Sequence, residues 1–230
     1  MRRLFPAGGP FDLDGAYAYQ PDDHGAPARG VRANMVATVD GAASGADGLS
    51  GSVSGQVDKL IFATLRRLAD VVLVGAGTVR AEGYRPAGLP IAVVSGRLDL
   101  DLTAPLYAAA THRTIIITCQ SAPGDLLNQA RAVADVLVCG DQHVDVTLAV
   151  AALNGAGFDR LLCEGGPMLL RQIAAAGLLD ELCLTIAPFL AGGGAGRILD
   201  GAPLSAGVQV SLTQLLEDAG WLFARYAVRS

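Results

Sequence analysis

Short aliphatic runs alternate along this chain with stretches whose apolar positions keep a helical period. "VRANMVATVDG" (31–41) reads as a buried strand that ends in a turn. In "SGQVDKLIFATLRRLAD" the period changes, and Val57, Leu60, Ile61, Leu65 and Leu68 fall on one helical face. Ser54 is placed to cap that helix, and Asp58 sits in its first turn, where the helix dipole favours an acid. "DVVLVGAGT" is a continuous apolar run entering glycines, the pattern of a strand covered on both faces, with a short helix over 77–82. "IAVVS" (91–95), "TIIIT" (114–118), "DVLVC" (135–139) and "RLLCE" (160–164) repeat the strand pattern. Segments 122–134, 145–155 and 167–176 read as helices, the second capped by Asp145. The third has Pro167 at its start and Gly177 just past its end.

This alternation predicts an α/β fold, a mostly parallel sheet with helices on both faces. The end of the chain differs. "ELCLTIAPFLAGG" (181–193) reads as a strand and a glycine loop, and two strand-like stretches flank "EDAG" as a hairpin, so an antiparallel edge closes the sheet. Residues 1–30 read as an irregular arm, with a short helix near Asp14–Tyr19, ahead of one domain over 31–230. Residues 42–53 are small, polar or glycine, the composition of a mobile surface loop.

Composition narrows the function classes. In 230 residues, 51% are hydrophobic, enough for a sizeable core. The net charge is −5 and no basic cluster is larger than a pair such as Arg66-Arg67, which argues against a nucleic-acid partner. No apolar run reaches the roughly 20 residues that span a bilayer, and the first residues lack a secretory pattern, so a cytoplasmic protein without a membrane partner is expected. Cys119, Cys139, Cys163 and Cys183 lack metal-ligand spacing and read as small buried hydrophobes. His24, His112 and His143 are scattered and receive no role.

In an open α/β sheet, ligands bind beyond the carboxyl ends of the strands. Three loops there carry suitable residues. "VGAGTV" (74–79) lets backbone approach a phosphate, although it also reads as a compact strand-to-helix turn. "CEGGPM" (163–168) places Gly165 and Gly166 before a helix start that favours an anion. Glu164 there points at a substrate or bonds a neighbouring loop, or is simply an acidic turn residue in solvent. "VVSGRLDLD" (93–101) sets Ser95 two residues from Arg97, a pair able to clamp a phosphate monoester, or simply a solvated arginine in a turn. Together the three argue for an extended phosphate-bearing ligand, and a dinucleotide fits better than a single phosphate.

These loops, in this order, resemble the reductase domain of the bacterial riboflavin-biosynthesis deaminase–reductase, within the dihydrofolate-reductase-like superfamily. The resemblance is carried by "ATVDG" (37–41), "LRRLADVVLVGAGTVRAE" (65–82), "CEGGPMLLRQI" (163–173) and "LLDELCLTIAPFLAGGG" (178–194). It implies a three-layer sandwich with an antiparallel C-terminal hairpin, and NADPH as cofactor. By the resemblance, Gly75, Gly77, Thr78, Gly165 and Gly166 meet the cofactor, and Ser95 and Arg97 hold its 2′-phosphate. Asp40 closes the turn beside the nicotinamide, while Glu82 and Glu164 line the substrate side and serve the chemistry.

The sequence departs from the family at Asn34, where a lysine is usual six positions before the aspartate of the D-G turn. It also reads "AEGYRP" after the first glycine loop, and it lacks the H-x-E and P-C-x-x-C signatures of a zinc deaminase. Asn34, Arg66 and Arg85 are the remaining substrate candidates, the two arginines for a phosphate. The resemblance therefore implies a stand-alone NADPH-dependent reductase acting on a small molecule, 5-amino-6-(5-phosphoribosylamino)uracil or a close analogue, by hydride transfer to a C=N bond. A dihydrofolate or pterin reductase and a non-catalytic NADPH-binding module are the alternatives. A homodimer is expected from the family.

Overall fold

The computed structural model describes residues 1–20 and 29–229. Its strands are β1 (Arg2–Phe5), β2 (Gly30–Thr38), β3 (Val71–Gly75), β4 (Ile91–Val94), β5 (Ile115–Thr118), β6 (Asp135–Val138), β7 (Arg160–Cys163), β8 (Leu179–Ala187), β9 (Val210–Asp218) and β10 (Trp221–Val228). Its helices are α1 (Leu13–Tyr17), α2 (Gln56–Leu68), α3 (Ala76–Glu82), α4 (Pro105–Ala108), α5 (Gly124–Val133), α6 (Val146–Gly155) and α7 (Pro167–Ala175). All strands join one ten-stranded sheet in the order β1-β9-β10-β8-β2-β7-β3-β4-β5-β6.

From β8 through β6 every pairing is parallel, and the β8–β10, β10–β9 and β9–β1 pairings are antiparallel. The parallel strands are short and aliphatic because both their faces are covered. One core cluster joins α2, α3, α4 and α5 to one face through Ile61, Leu65, Val79, Leu106 and Ala130. The other joins α6 and α7 to the opposite face through Ala149, Leu153, Leu170 and Ile173. Three layers result. The chain adds β3 through β6 outward on one side of β2, then returns to insert β7 between β2 and β3. That insertion brings the ends of β7 and β3 together, and the site forms there.

The predicted strands and longer helices are observed, with four differences. β1 lies within the stretch expected to be irregular. RRLF has no strong strand pattern of its own and gains its partner from β9, at the far end of the sequence. Residues 21–28 of that arm, including His24, lie outside the described residues. Helix α2 begins one residue later than a Ser54 cap requires. Gly55 is its N-cap, because the Ser54 hydroxyl donates instead to Asp58 Oδ2 at 2.6 Å. Asp58 is buried and also accepts from Thr185 Oγ1 on β8, a link that pins α2 to the sheet. Leu60, at the margin of the apolar face of α2, stays 59% exposed. The polar stretch 42–53 contains a 3-10 turn at Ser50–Val53, with Val53 fully buried. The Asp145 cap is present and accepts from the amides of Thr147 and Leu148. The β9–β10 turn uses Ala219 and Gly220, both at positive φ, as a two-residue hairpin requires. All four cysteines are buried thiols. Burial pushes the Cys163 thiol up to about 12.

Candidate active site

Two backbone turns meet at the carboxyl ends of β3 and β7. The Gly75 N–H donates to Gly165 O at 2.8 Å. A Cβ on Gly166 would lie 2.5 Å from Thr78 Oγ1, so only glycine permits this approach of the α7 entry to α3. Gly165 has φ +83°, the left-handed region that glycine adopts without strain. The turn is set by its neighbours: Pro167 fixes the first residue of α7, and the apolar β7 run ends at Cys163.

Beside these turns opens a cavity of about 860 Å³. Its floor is Asn34, Met35 and Val36 of β2, and Gly75, Gly77 and Thr78 form the β3–α3 wall. Gly166 to Leu169 at the α7 entry and Ala43, Ser44, Gly48 and Ser50 of the polar stretch close two further sides. Such a volume suits a ligand well beyond a single phosphate.

Glu164 lines this cavity, but its carboxylate is not free. Arg66 Nε donates to Oε1 and Arg66 Nη2 to Oε2, both at 2.7 Å, in a bidentate pair. The Tyr84 hydroxyl donates to Oε2, also at 2.7 Å. The Glu164 side chain is only 2% exposed. The Arg66 guanidinium stacks on Phe62 at 4.3 Å. Burial, then the adjacent Glu164 charge, drives the Tyr84 phenol far above its ordinary pKa, so it keeps its proton. Burial opposes the Arg66 charge, yet the hydrogen bond and charge of Glu164 outweigh it and raise the Arg66 pKa. Of the readings of Glu164, a bond to a neighbouring loop is observed, through Tyr84, and Arg66, expected to meet a phosphate, is paired with Glu164. The three residues tie α2, the end of β7 and the loop after α3 into one wall.

Of the other expected site residues, Asn34, Arg85, Glu82, Gly75, Gly77, Thr78 and Gly166 line the cavity, whereas Gly165 does not and is tied to it only by its carbonyl's bond to Gly75. Glu82 Oε1 accepts the Ser50 N–H at 2.8 Å, which fastens the polar stretch to α3. Asp40 is not among the lining residues. It is exposed, and its carboxylate accepts from Thr38 Oγ1, from Gly192 N–H at 2.7 Å and from Ala191 N–H at 3.2 Å. Those three bonds, the Thr38 hydroxyl first, lower its pKa to about 2. It therefore anchors the loop after β8. Ser95 and Arg97 stand at the end of β4 on the same rim but outside the cavity lining, Ser95 buried and Arg97 exposed.

Phe62, Tyr84, Met168, Arg197 and Asp200 also line the cavity and were not expected from the sequence. Tyr84 carried a signal, since it stands where "AEGYRP" departs from the resemblance. Arg197 had none, since it directly follows the glycine-rich run 192–196. Among the described residues, no group of histidines, cysteines and carboxylates could hold a metal ion, and no helix is long and apolar enough to cross a membrane.

Residues 29–220 match the RibD C-terminal domain family. The chain is 33% identical over 177 residues to the 2,5-diamino-6-ribosylamino-4(3H)-pyrimidinone 5′-phosphate reductase of Methanothermobacter thermautotrophicus, across 72% of this chain and 81% of that protein. Among solved structures, a pyrimidine reductase-like protein of Corynebacterium diphtheriae aligns with a TM-score of 0.78 at 26% identity, covering 88% of this chain and 92% of that one. A Thermotoga maritima deaminase/reductase shares the fold with a TM-score of 0.71 at 15% identity, over 87% of this chain and 57% of that one. The sheet order and its two helical layers are the dihydrofolate-reductase-like architecture expected from the sequence.

Proposed function

Because this chain belongs to the RibD C-terminal domain family, we propose that it is an oxidoreductase that transfers a hydride from NADPH to the C=N bond of a ribosylamino-pyrimidine 5′-phosphate. The substrate favoured is 2,5-diamino-6-ribosylamino-4(3H)-pyrimidinone 5′-phosphate, named for a relative that this chain matches over most of both lengths. The uracil analogue, 5-amino-6-(5-phosphoribosylamino)uracil, differs at one ring substituent and is the second compound to test. The observation that carries the reading is the cavity of about 860 Å³ that opens beside the joined Gly75 and Gly165 turns.

The rim fits a dinucleotide. Gly77 lines the cavity with open space where a Cβ would stand. Helix α7 begins without a side-chain cap, so its first amides remain available to an anion. Gly75, Gly77, Thr78, Gly165 and Gly166 are the residues that would hold the cofactor, and Ser95 with Arg97 the 2′-phosphate. When bound, NADPH supplies the hydride. The protein's task is to hold the acceptor carbon in a near-attack position and to exclude water. The Arg66–Glu164–Tyr84 wall serves that task. Each of its members is fixed by the other two, and the Tyr84 proton stays on its oxygen, so the wall is charge-balanced and pre-oriented rather than a proton relay.

A cytoplasmic homodimer is part of the proposal. Leu184 and Ile186 of β8 and Leu222 and Tyr226 of β10 belong to neither core cluster, and Leu212 of β9 beside them is exposed. A second copy would cover this antiparallel face, and sedimentation measures whether it does.

The function is tested by assaying the purified protein with both pyrimidines and with dihydrofolate, each against NADPH and NADH. Turnover of a ribosylamino-pyrimidine phosphate with NADPH preferred is the expected result. Turnover of dihydrofolate alone rejects the reading. NADPH should also raise the melting temperature more than NADH, and Arg97→Ala should erase most of that gap.

A further inference from the structure

Six charged side chains line the cavity, and four have internal partners. Arg66 and Glu164 pair with each other, Glu82 accepts the Ser50 amide, and Asp200 accepts the Gly201 amide. Arg85 and Arg197 remain. Among the described residues neither has a carboxylate within ion-pair distance. They reach the cavity from different sides. Arg85 follows α3, the helix after β3, whereas Arg197 follows β8, and those two strands flank the β2–β7 pair.

The loop that carries Arg197 contains four glycines among residues 192–196 and would wander if untethered. It is tethered on both sides of the arginine. Asp40 accepts the Ala191 and Gly192 amides, the Ala43 N–H donates to Gly196 O at 2.9 Å, and the Asp200 N–H donates to Pro167 O at 3.3 Å. A guanidinium delivered by a pinned loop to a cavity that a second guanidinium without a carboxylate partner also lines suits a dianion.

We infer that Arg197 is a specificity residue that grips the phosphate monoester of the substrate together with Arg85, and that Asp40 positions it by anchoring its loop. The identity of the phosphate's carrier rests on the reductase reading; the phosphate grip itself does not. The same chemistry could come from a phosphate of the dinucleotide, so the measurement separates the two.

Binding of D-ribose 5-phosphate and of NADPH is measured by calorimetry for the wild type, Arg197→Ala and Arg197→Lys, beside the KM for the pyrimidine phosphate and for its dephosphorylated form. Arg197→Ala should weaken ribose 5-phosphate binding and raise the KM for the phosphorylated compound roughly ten- to a hundredfold, the loss of one charge-assisted hydrogen bond. NADPH affinity, and the KM for the dephosphorylated compound, should stay within about twofold. Arg197→Lys should recover part of the loss. Unchanged ribose 5-phosphate binding and unchanged KM in Arg197→Ala would overturn the inference, as would a loss confined to NADPH. If the wild type turns over no pyrimidine yet ribose 5-phosphate binding still depends on Arg197, the grip stands and the reductase reading falls.

Discussion

Two arginine clusters sit at opposite ends of β2, and they are built for different purposes. At its N-terminal end, Arg32 of β2 is 1% exposed and shares Glu181 of β8 with Arg225 of β10. The second positive charge is met by backbone: Arg32 donates to Tyr17 O, and Arg225 donates to Ala16 O and Ala18 O. Tyr19 stacks on Arg32 at 3.8 Å. That cluster meets its charges within the chain, and it fastens α1 and the residues after it to the sheet. At the cavity end, Arg66 is likewise paired with a buried carboxylate, but among the described residues Arg85 and Arg197 have no carboxylate within ion-pair distance. Among the described residues, the first cluster meets its cations with Glu181 and backbone carbonyls, whereas two arginines at the cavity have no carboxylate partner.

The comparison predicts a separation of effects, the largest first. Glu181→Ala strands two poorly exposed arginines and should cost about 3–5 kcal/mol of stability, read as a lowered melting temperature. Its turnover, measured well below that temperature, should remain near wild type. Glu164→Gln should lower kcat/KM on the order of a hundredfold, because the wall that orients the substrate loses its bidentate anchor, while NADPH binding weakens far less. If Glu181→Ala slowed turnover as much as Glu164→Gln, the two ends would not be separable and the comparison would fail.

The glycine turns give a sharper contrast, smaller in size. Gly166→Ala forces a methyl group against Thr78 Oγ1 and should destabilise the free protein by about 1–3 kcal/mol. Gly77→Ala meets nothing within 4 Å and sits near the start of α3, so it should stabilise the free protein by up to ~1 kcal/mol. Yet Gly77 lines the cavity, so its methyl should shrink the melting-temperature rise that NADPH produces. Thermal melts with and without NADPH read both signs; a Gly77→Ala variant with a full NADPH response would remove Gly77 from the cofactor wall.

The smallest effect concerns Asp40. Its folded pKa of about 2 lies below the ordinary 3.8. The stability it contributes is therefore present above the ordinary value and is lost as pH falls through the folded one. Between those two values Asp40→Asn should flatten the acid destabilisation of the protein, as followed by circular dichroism. An unchanged acid limb would mean that the loop anchor contributes nothing.

Much of this architecture is legible in the sequence because its causes are local. β3, β5 and β7 are unbroken aliphatic runs, and α7 carries both a proline start and a glycine just past its end. The glycine turns were legible for the same reason. What escaped depends on distant residues. β1 is a strand only because β9 pairs with it. The Arg66–Glu164 and Tyr84–Glu164 contacts span 98 and 80 residues, so nothing near Glu164 foretells that its charge is already met. Asp40 was expected at the chemistry from its motif, whereas its bonds run to a loop some 150 residues away, as its separations of 151 and 152 residues require. Arg197 follows a glycine run with no periodicity, and only the fold brings it to the cavity.

The measurement that bears most directly on the whole account is isotope transfer. NADPH deuterated at its transferable position is mixed with 2,5-diamino-6-ribosylamino-4(3H)-pyrimidinone 5′-phosphate and the wild-type protein, and the product is analysed by mass and proton resonance. The account predicts deuterium on the former C=N carbon of a ribitylamino product. A folded protein that binds the pyrimidine and NADPH but leaves the label on the dinucleotide would contradict it.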